Sequence, residues 1–217
     1  NQTTLEVRID AIDPLTAFGN SMRAYVVWAV SPEGDFENLG ELEVDGREAE
    51  IDTATSLQRF GLLVTAEPYF SVSTPSASAA FTSGRPRDDE VRTESRTVQI
   101  GRYDYSPITL PPQGNLPSHV IQARMAFRIA EQEEAGEFAD SEFRQARVAI
   151  DSMEQLLRRE MNAEILEAYV NDSIRLSNRA IEISRDRQIQ VELEDVQRSV
   201  ETLERDNDRM SQEIQRL

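Results

Sequence analysis

Near its C-terminal end the chain repeats apolar residues at alternating steps of four and three. Ile189, Leu193, Val196, Val200, Leu203, Met210, Ile214 and Leu217 form the series, and Asn207 is its one polar member. A repeat of 3.5 residues sustained over about four heptads predicts a coiled-coil seam. With each step of three read as a to d, Leu193, Val200, Asn207 and Ile214 take a positions. Ile189, Val196, Leu203, Met210 and Leu217 then take d positions. Branched residues at a with mostly Leu and Met at d favour two parallel strands, and a buried Asn at a fixes their register at some cost in stability. The expected partner is a second copy of the chain, giving a homodimer. The competing reading is a solvated amphipathic helix packed on its own body.

Charge adds little to that pairing. Glu194 and Arg198, and Glu201 and Arg205, are acid-first pairs four apart that support the helix itself. The g positions hold Glu192, Ser199, Asp206 and Glu213, and the e positions hold Gln190, Gln197, Glu204 and Ser211, so no g–e pair across strands is oppositely charged. Affinity must come from the apolar seam.

The N-terminal part has a different period. Leu5, Val7 and Ile9 alternate with Glu6, Arg8 and Asp10, as in a half-buried strand. Residues 11–20 carry Asp13, Pro14, Gly19 and Asn20 and read as a loop. Residues 24–30 (AYVVWAV) are continuously apolar and predict a central strand, with Trp28 in the core. Pro32 and Gly34 mark a turn before a returning strand over 36–42, and Gly46 marks another before a short strand over 49–52. Residues 60–66 (FGLLVTA) predict a second buried strand, and 69–73, 77–82 and 97–103 are candidate edge or outer strands. Short strands separated by turn signals predict an antiparallel, Ig-like β-sandwich.

Beyond it, Pro107, Pro111, Pro112 and Gly114 predict a stiff connector. Ser118 is a candidate N-cap for a helix with Ile121, Met125 and Ile129 on one face and Val120, Ala123, Phe127 and Ala130 beside it. Ala135 and Gly136 should stop that helix. Asp140 or Ser141 would cap the next, whose stripe is Phe143, Ala146, Ile150, Met153, Leu157 and Met161. Asn162 would cap a third, with Ile165, Tyr169, Leu176, Ala180 and Ile183 inward. The apolar pattern skips phase between Ile183 and Ile189, where packing within the molecule should give way to packing between molecules. The expected fold is therefore α+β and multidomain: a β-sandwich over 1–104, a Pro-rich linker over 105–117, a helical hairpin or three-helix unit over 118–185, and a coiled coil over 186–217.

Composition narrows the function. A net charge of −17 disfavours nucleic acid, whose phosphates need a basic face, and disfavours anionic membrane surfaces. All 23 basic residues are Arg, so no lysine is available for catalysis. The chain has no cysteine, which removes disulfides, thiolate nucleophiles and thiolate metal sites. No run of 18 apolar residues predicts a membrane span. No leader is recognisable at Asn1, and a mature chain from which a signal peptide had been removed would begin in this way.

Candidate chemistry is sparse. His119 is the single histidine and reads as an exposed helix-start residue, against a triad member. Asp45, Glu48, Glu50 and Asp52 could offer oxygens to calcium but lack a calcium-loop spacing, and a charged hairpin is the plainer reading. Asp88, Asp89 and Glu90 read as a solvated linker run, and no glycine-rich phosphate loop occurs. Tyr103 and Tyr105, beside Pro107, could form an aromatic ligand face or pack on the connector. No catalytic, cofactor or metal residue is singled out, and no cofactor is implied.

Residues 25–42 (YVVWAVSPEGDFENLGEL) and 60–68 (FGLLVTAEP) resemble the extracytoplasmic domain of anti-sigma-K factors, through Trp28, Pro32, Gly34, Leu39, Gly40, Thr65, Glu67 and Pro68. They resemble more closely the start of certain OmpA-family envelope proteins, in which such a sandwich precedes helices. Residues 122–157 are similar to the alanine-rich helical region upstream of OmpA-like peptidoglycan-binding domains, with a Gly-containing break, Phe138-Ala139 and the pair Ala146-Arg147. The membrane helix and cytoplasmic helical domain of anti-sigma factors have no counterpart here, so sigma regulation is not carried over. The resemblance implies a non-enzymatic structural protein of a bacterial periplasm, outer membrane or cell surface, spacing an interaction domain from a wall-binding one. The alternative is a sensor module for an envelope protein or glycan, made bivalent by the coil.

Overall fold

The computed structural model describes residues 2–84, 97–159 and 162–216. Asp88, Asp89, Glu90, Met161 and Leu217 lie outside them. The chain is α+β, with two antiparallel sheets followed by helices that end in one long helix.

The strands are β1 (Thr3–Ile9), β2 (Ala24–Val30), β3 (Phe36–Glu41), β4 (Glu43–Asp45), β5 (Glu48–Thr55), β6 (Gly61–Glu67) and β7 (Ala79–Thr82), with a single 3-10 turn at Leu15–Ala17. One sheet has the order β1-β5-β4 and the other β3-β2-β6-β7. In the first, Val7 pairs with Ile51 and Leu5 with Thr53, so the alternating pattern of β1 turns its apolar side to the second sheet.

The continuous apolar run of β2 has a direct cause, because both of its faces are covered. Tyr25, Val27 and Ala29 join Val64 and Ala66 of β6 against Ala49, Ile51, Leu5 and Val7 of the other sheet. Ala24, Val26 and Trp28 join Leu63 and Tyr69 against helix residues that include Met125, Ile129, Ile174 and Ile181. The four-stranded sheet is thus the middle of three layers. The connector contributes Tyr105 and Ile108 to the sheet–helix cluster.

Gly40 lets the sheets close. It has φ +119°, and a Cβ there would stand 2.9 Å from Ile51 Cδ1 of the opposite sheet. The ladder shifts register beside it, between Val27 and Trp28.

Two expected outer strands do not form. Residues 69–73 are turns and bends in which side chains meet backbone groups of Phe70 and Val72. Asn38 Nδ2 donates to Phe70 O and Val72 O at 2.9 Å each, and Phe70 N donates to Gln122 Oε1 at 2.9 Å. Residues 97–103 are likewise irregular. Gly101 takes φ +78° there, and its N–H donates to Pro75 O at 3.1 Å. A side chain at that point would meet Ala77 Cβ at 2.7 Å.

The helices are α1 (Ser118–Gln132), the single turn α2 (Ala135–Phe138), α3 (Asp140–Arg158) and α4 (Ala163–Gln215). Ser118 is not a cap: Pro117 holds that place, and Ser118 Oγ donates to Arg23 O at 3.4 Å. Neither Asp140 nor Ser141 caps α3, because Ala139 holds the cap position, although Asp140 and Glu142 put negative charge in the first turn as the helix dipole favours. Asn162 does cap α4, its Oδ1 accepting from Glu164 N at 2.9 Å. The α3 stripe is as expected at Ala146, Ile150 and Met153.

The inward face of α4 is rotated from expectation. Val170, Ser173, Ile174, Ser177, Ala180, Ile181, Ser184 and Arg185 are buried, whereas Ile165 and Tyr169 are exposed. Small hydroxyl residues take the inner positions because they let α1 approach closely: Ser184 Oγ donates to Glu133 O, and Ser173 Oγ folds back on Tyr169 O at 2.7 Å.

Candidate functional site

Two places combine burial or exposure with chemistry that the fold alone does not require. They are the outer half of α4 and the polar seam between the middle sheet and the helices.

α4 has 53 residues, so at ~1.5 Å per residue it is roughly 80 Å long and its far half runs past the body. From Val170 to Arg185 one face is buried, and beyond Gln188 every described residue is exposed. Ile189, Leu193, Val196, Val200, Leu203, Met210 and Ile214 are exposed by 44–72%, and Asn207 is exposed among them. The stripe therefore does not fold back on its own body. At 3.6 residues per turn, its centre lies roughly 100° round the helix from the face that holds the sheet and α1. Beside its start an open groove of about 520 Å³ runs past Phe138, Val191, Val196, Val200 and Leu203. Arg205 pairs with Glu201 at 3.1 Å as expected, but Arg198 pairs with Asp195, one residue nearer than the expected Glu194.

The second place is hidden. On β6, Leu63, Thr65 and Glu67 share the side turned to the helices, since Val64 and Ala66 face the other sheet. Trp28 Nε1 donates to Thr65 Oγ1 at 2.8 Å, Thr65 Oγ1 donates to Glu67 Oε1, and Ser76 N donates to the same oxygen at 2.7 Å. Glu67 is 0% exposed, and among the described residues its Oε2 has no hydrogen-bond partner. Burial outweighs the bonds from Thr65 and Ser76 and pushes its carboxyl up to about 7. Glu41 is pushed up to about 7 by the same cause, against a bond from Gln122 Nε2 at 2.8 Å.

Nearby, Tyr69 Oη donates to Asn178 Oδ1 at 2.8 Å, tying the sheet side to α4. Arg185 bonds Glu133 Oε1 at 2.6 Å and lies 3.3 Å from the centre of the Tyr103 ring. Tyr103 and Tyr105 therefore pack inward on Arg185. Burial raises the hydroxyls of Tyr69 and Tyr105, with Glu67 adding to the rise in each.

The other candidates stay apart. His119 is exposed at the head of α1, and Trp28 is fully buried. Asp45 and Glu48 face one another across the β4–β5 hairpin, Glu50 lies opposite Arg8, and Asp52 lies opposite Glu6. Among the described residues no group of three acidic or histidine side chains is gathered as a metal ion would need. Among them, too, no helix is long and apolar enough to cross a membrane. Glu41, Gln122 and Arg185 escaped the sequence reading because a lone polar residue in an amphipathic pattern reads as solvated. Glu67 had a signal, since it falls in phase with Leu63 on a strand read as buried.

Comparison with family models, with curated proteins and with solved structures finds no significant match.

Proposed function

We propose that this chain is a non-enzymatic scaffolding protein of a bacterial cell envelope, in which the long C-terminal helix pairs with that of a second copy as a parallel coiled coil. The two sheets serve as an Ig-like interaction domain, and the coil spaces them from a wall-binding partner or domain. The observation that carries the pairing is the apolar stripe from Ile189 to Ile214, bare on a helix that has left its own body. The stripe lies to the side of the body-facing surface. A two-fold axis along the seam therefore sends the two bodies to opposite sides of the coil. Asn207 would sit against its counterpart, which favours parallel, in-register strands. The envelope assignment is supported by the resemblances of residues 25–42, 60–68 and 122–157 to OmpA-family proteins.

The absence of cysteine gives a clean test of the pairing. In a parallel coil the two copies of residue 200 are close enough for a disulfide, which needs Cα atoms about 4.4–6.8 Å apart. Val200→Cys will therefore form a covalent dimer under mild oxidation, and Val148→Cys, exposed on α3, will not. Equal, slow cross-linking of both variants counts against a parallel seam.

A further inference from the structure

We propose that Glu67 is the sensing group of a proton-coupled latch, which holds the helical layer on the middle sheet while Glu67 is protonated and loosens that contact when Glu67 ionises. Glu67 lies on the sheet face turned to the helices, fully buried, with one carboxyl oxygen that has no partner among the described residues. Its other oxygen already accepts from Thr65 and Ser76. Among the described residues no cation is paired with a negative charge there. The titratable groups that interact with it are Tyr69 and Tyr105 from the loops, and behind them Arg185 faces both tyrosines, Glu182 on α4 faces Tyr69 and Glu133 after α1 faces Tyr105. Arg185, the one cation among them, is committed to Glu133 at 2.6 Å. Glu41 and Gln122 make a second polar contact between the sheet and α1.

The sign follows from linkage. Burial raises Glu67 from 4.5 to about 7, so the docked state binds its proton more tightly than the opened state does. The stability that this contributes is fully present below about pH 4.5 and is lost as pH rises through about 7. Between roughly pH 6 and pH 8, opening of the sheet–helix contact should become about tenfold more favourable through this group.

Hydrogen exchange on the full chain reads that opening, after correction for the intrinsic rate. Ser76 N–H reports on Glu67 itself, and Phe70 N–H reports on the bond to Gln122 across the layers. Their protection should fall about tenfold or more between roughly pH 6 and pH 8, while amides of the β1–β5 ladder keep theirs. Glu67→Gln should remove about tenfold of that response. A carbon-13 titration of the Glu67 carboxyl in the unmodified chain should show a midpoint near 7, whether or not the variant folds. Titration in the ordinary carboxylate range, equal loss of protection in the β1–β5 ladder, or an unchanged response in Glu67→Gln would each overturn the latch.

Discussion

Trp28→Ala will destabilise the whole chain by about 3–5 kcal/mol, the range for removing a large aromatic side chain from a packed interior. Trp28 is 0% exposed and sits on the helix-facing side of β2. Its loss opens a cavity between the middle sheet and the helices and removes the indole donor from Thr65 Oγ1. Trp28 is also in edge contact with Phe36, at 6.3 Å between ring centres. Trp28→Phe keeps most of the volume but leaves Thr65 without that donor, so it should cost less, about 1–3 kcal/mol. Urea midpoints for the two variants, read by circular dichroism, check the order. Because one cluster joins sheet and helices, the strand signal and the helical signal of the body, as distinct from the outer half of α4, should be lost together. A Trp28→Ala variant within about 1 kcal/mol of the parent would contradict the shared core.

Arg185→Ala should cost about 3 kcal/mol, and it acts by a different route. The guanidinium is 7% exposed, pairs with Glu133 at 2.6 Å and covers the Tyr103 ring at 3.3 Å. Truncation strands a partly buried carboxylate, and breaking such a pair from one side typically costs about 3–5 kcal/mol. Glu133 retains some access to water, which places the estimate at about the lower end of that range. Arg185→Lys should recover only part of the loss, because an ammonium cannot lie flat on the ring while bonding Glu133. A double-mutant cycle with Glu133→Gln isolates the pair. Full recovery by Lys would show that charge alone matters there.

Much of the fold was legible because its strongest signals are local. The alternation in residues 5–9, the solid apolar run at 24–30 and the Asn162 cap each report a geometry that the backbone imposes on nearby side chains. The misread segments are those in which side chains from elsewhere took over. Residues 69–73 have strand composition, yet Asn38 and Gln122 satisfy their backbone groups instead of a neighbouring strand. The inner face of α4 was misplaced because Ser173, Ser177 and Ser184 are buried for their small size, which a hydrophobicity pattern does not register. Of the two candidate sites, the outer stripe of α4 could be read directly as a period. Glu67, Glu41 and Arg185 meet their partners Ser76, Gln122 and Glu133 only through tertiary packing, and the separation of each pair in sequence hides it.

The pairing of the tail is tested most directly by sedimentation equilibrium of the full chain across a wide concentration range. A coiled-coil dimer predicts a mass of twice 24.6 kDa at micromolar concentration. Replacing Asn207 by Leu should tighten the association and relax its preference for two strands, so that masses above the dimer appear. A single species of 24.6 kDa at every concentration, unchanged by Asn207→Leu, would contradict the account.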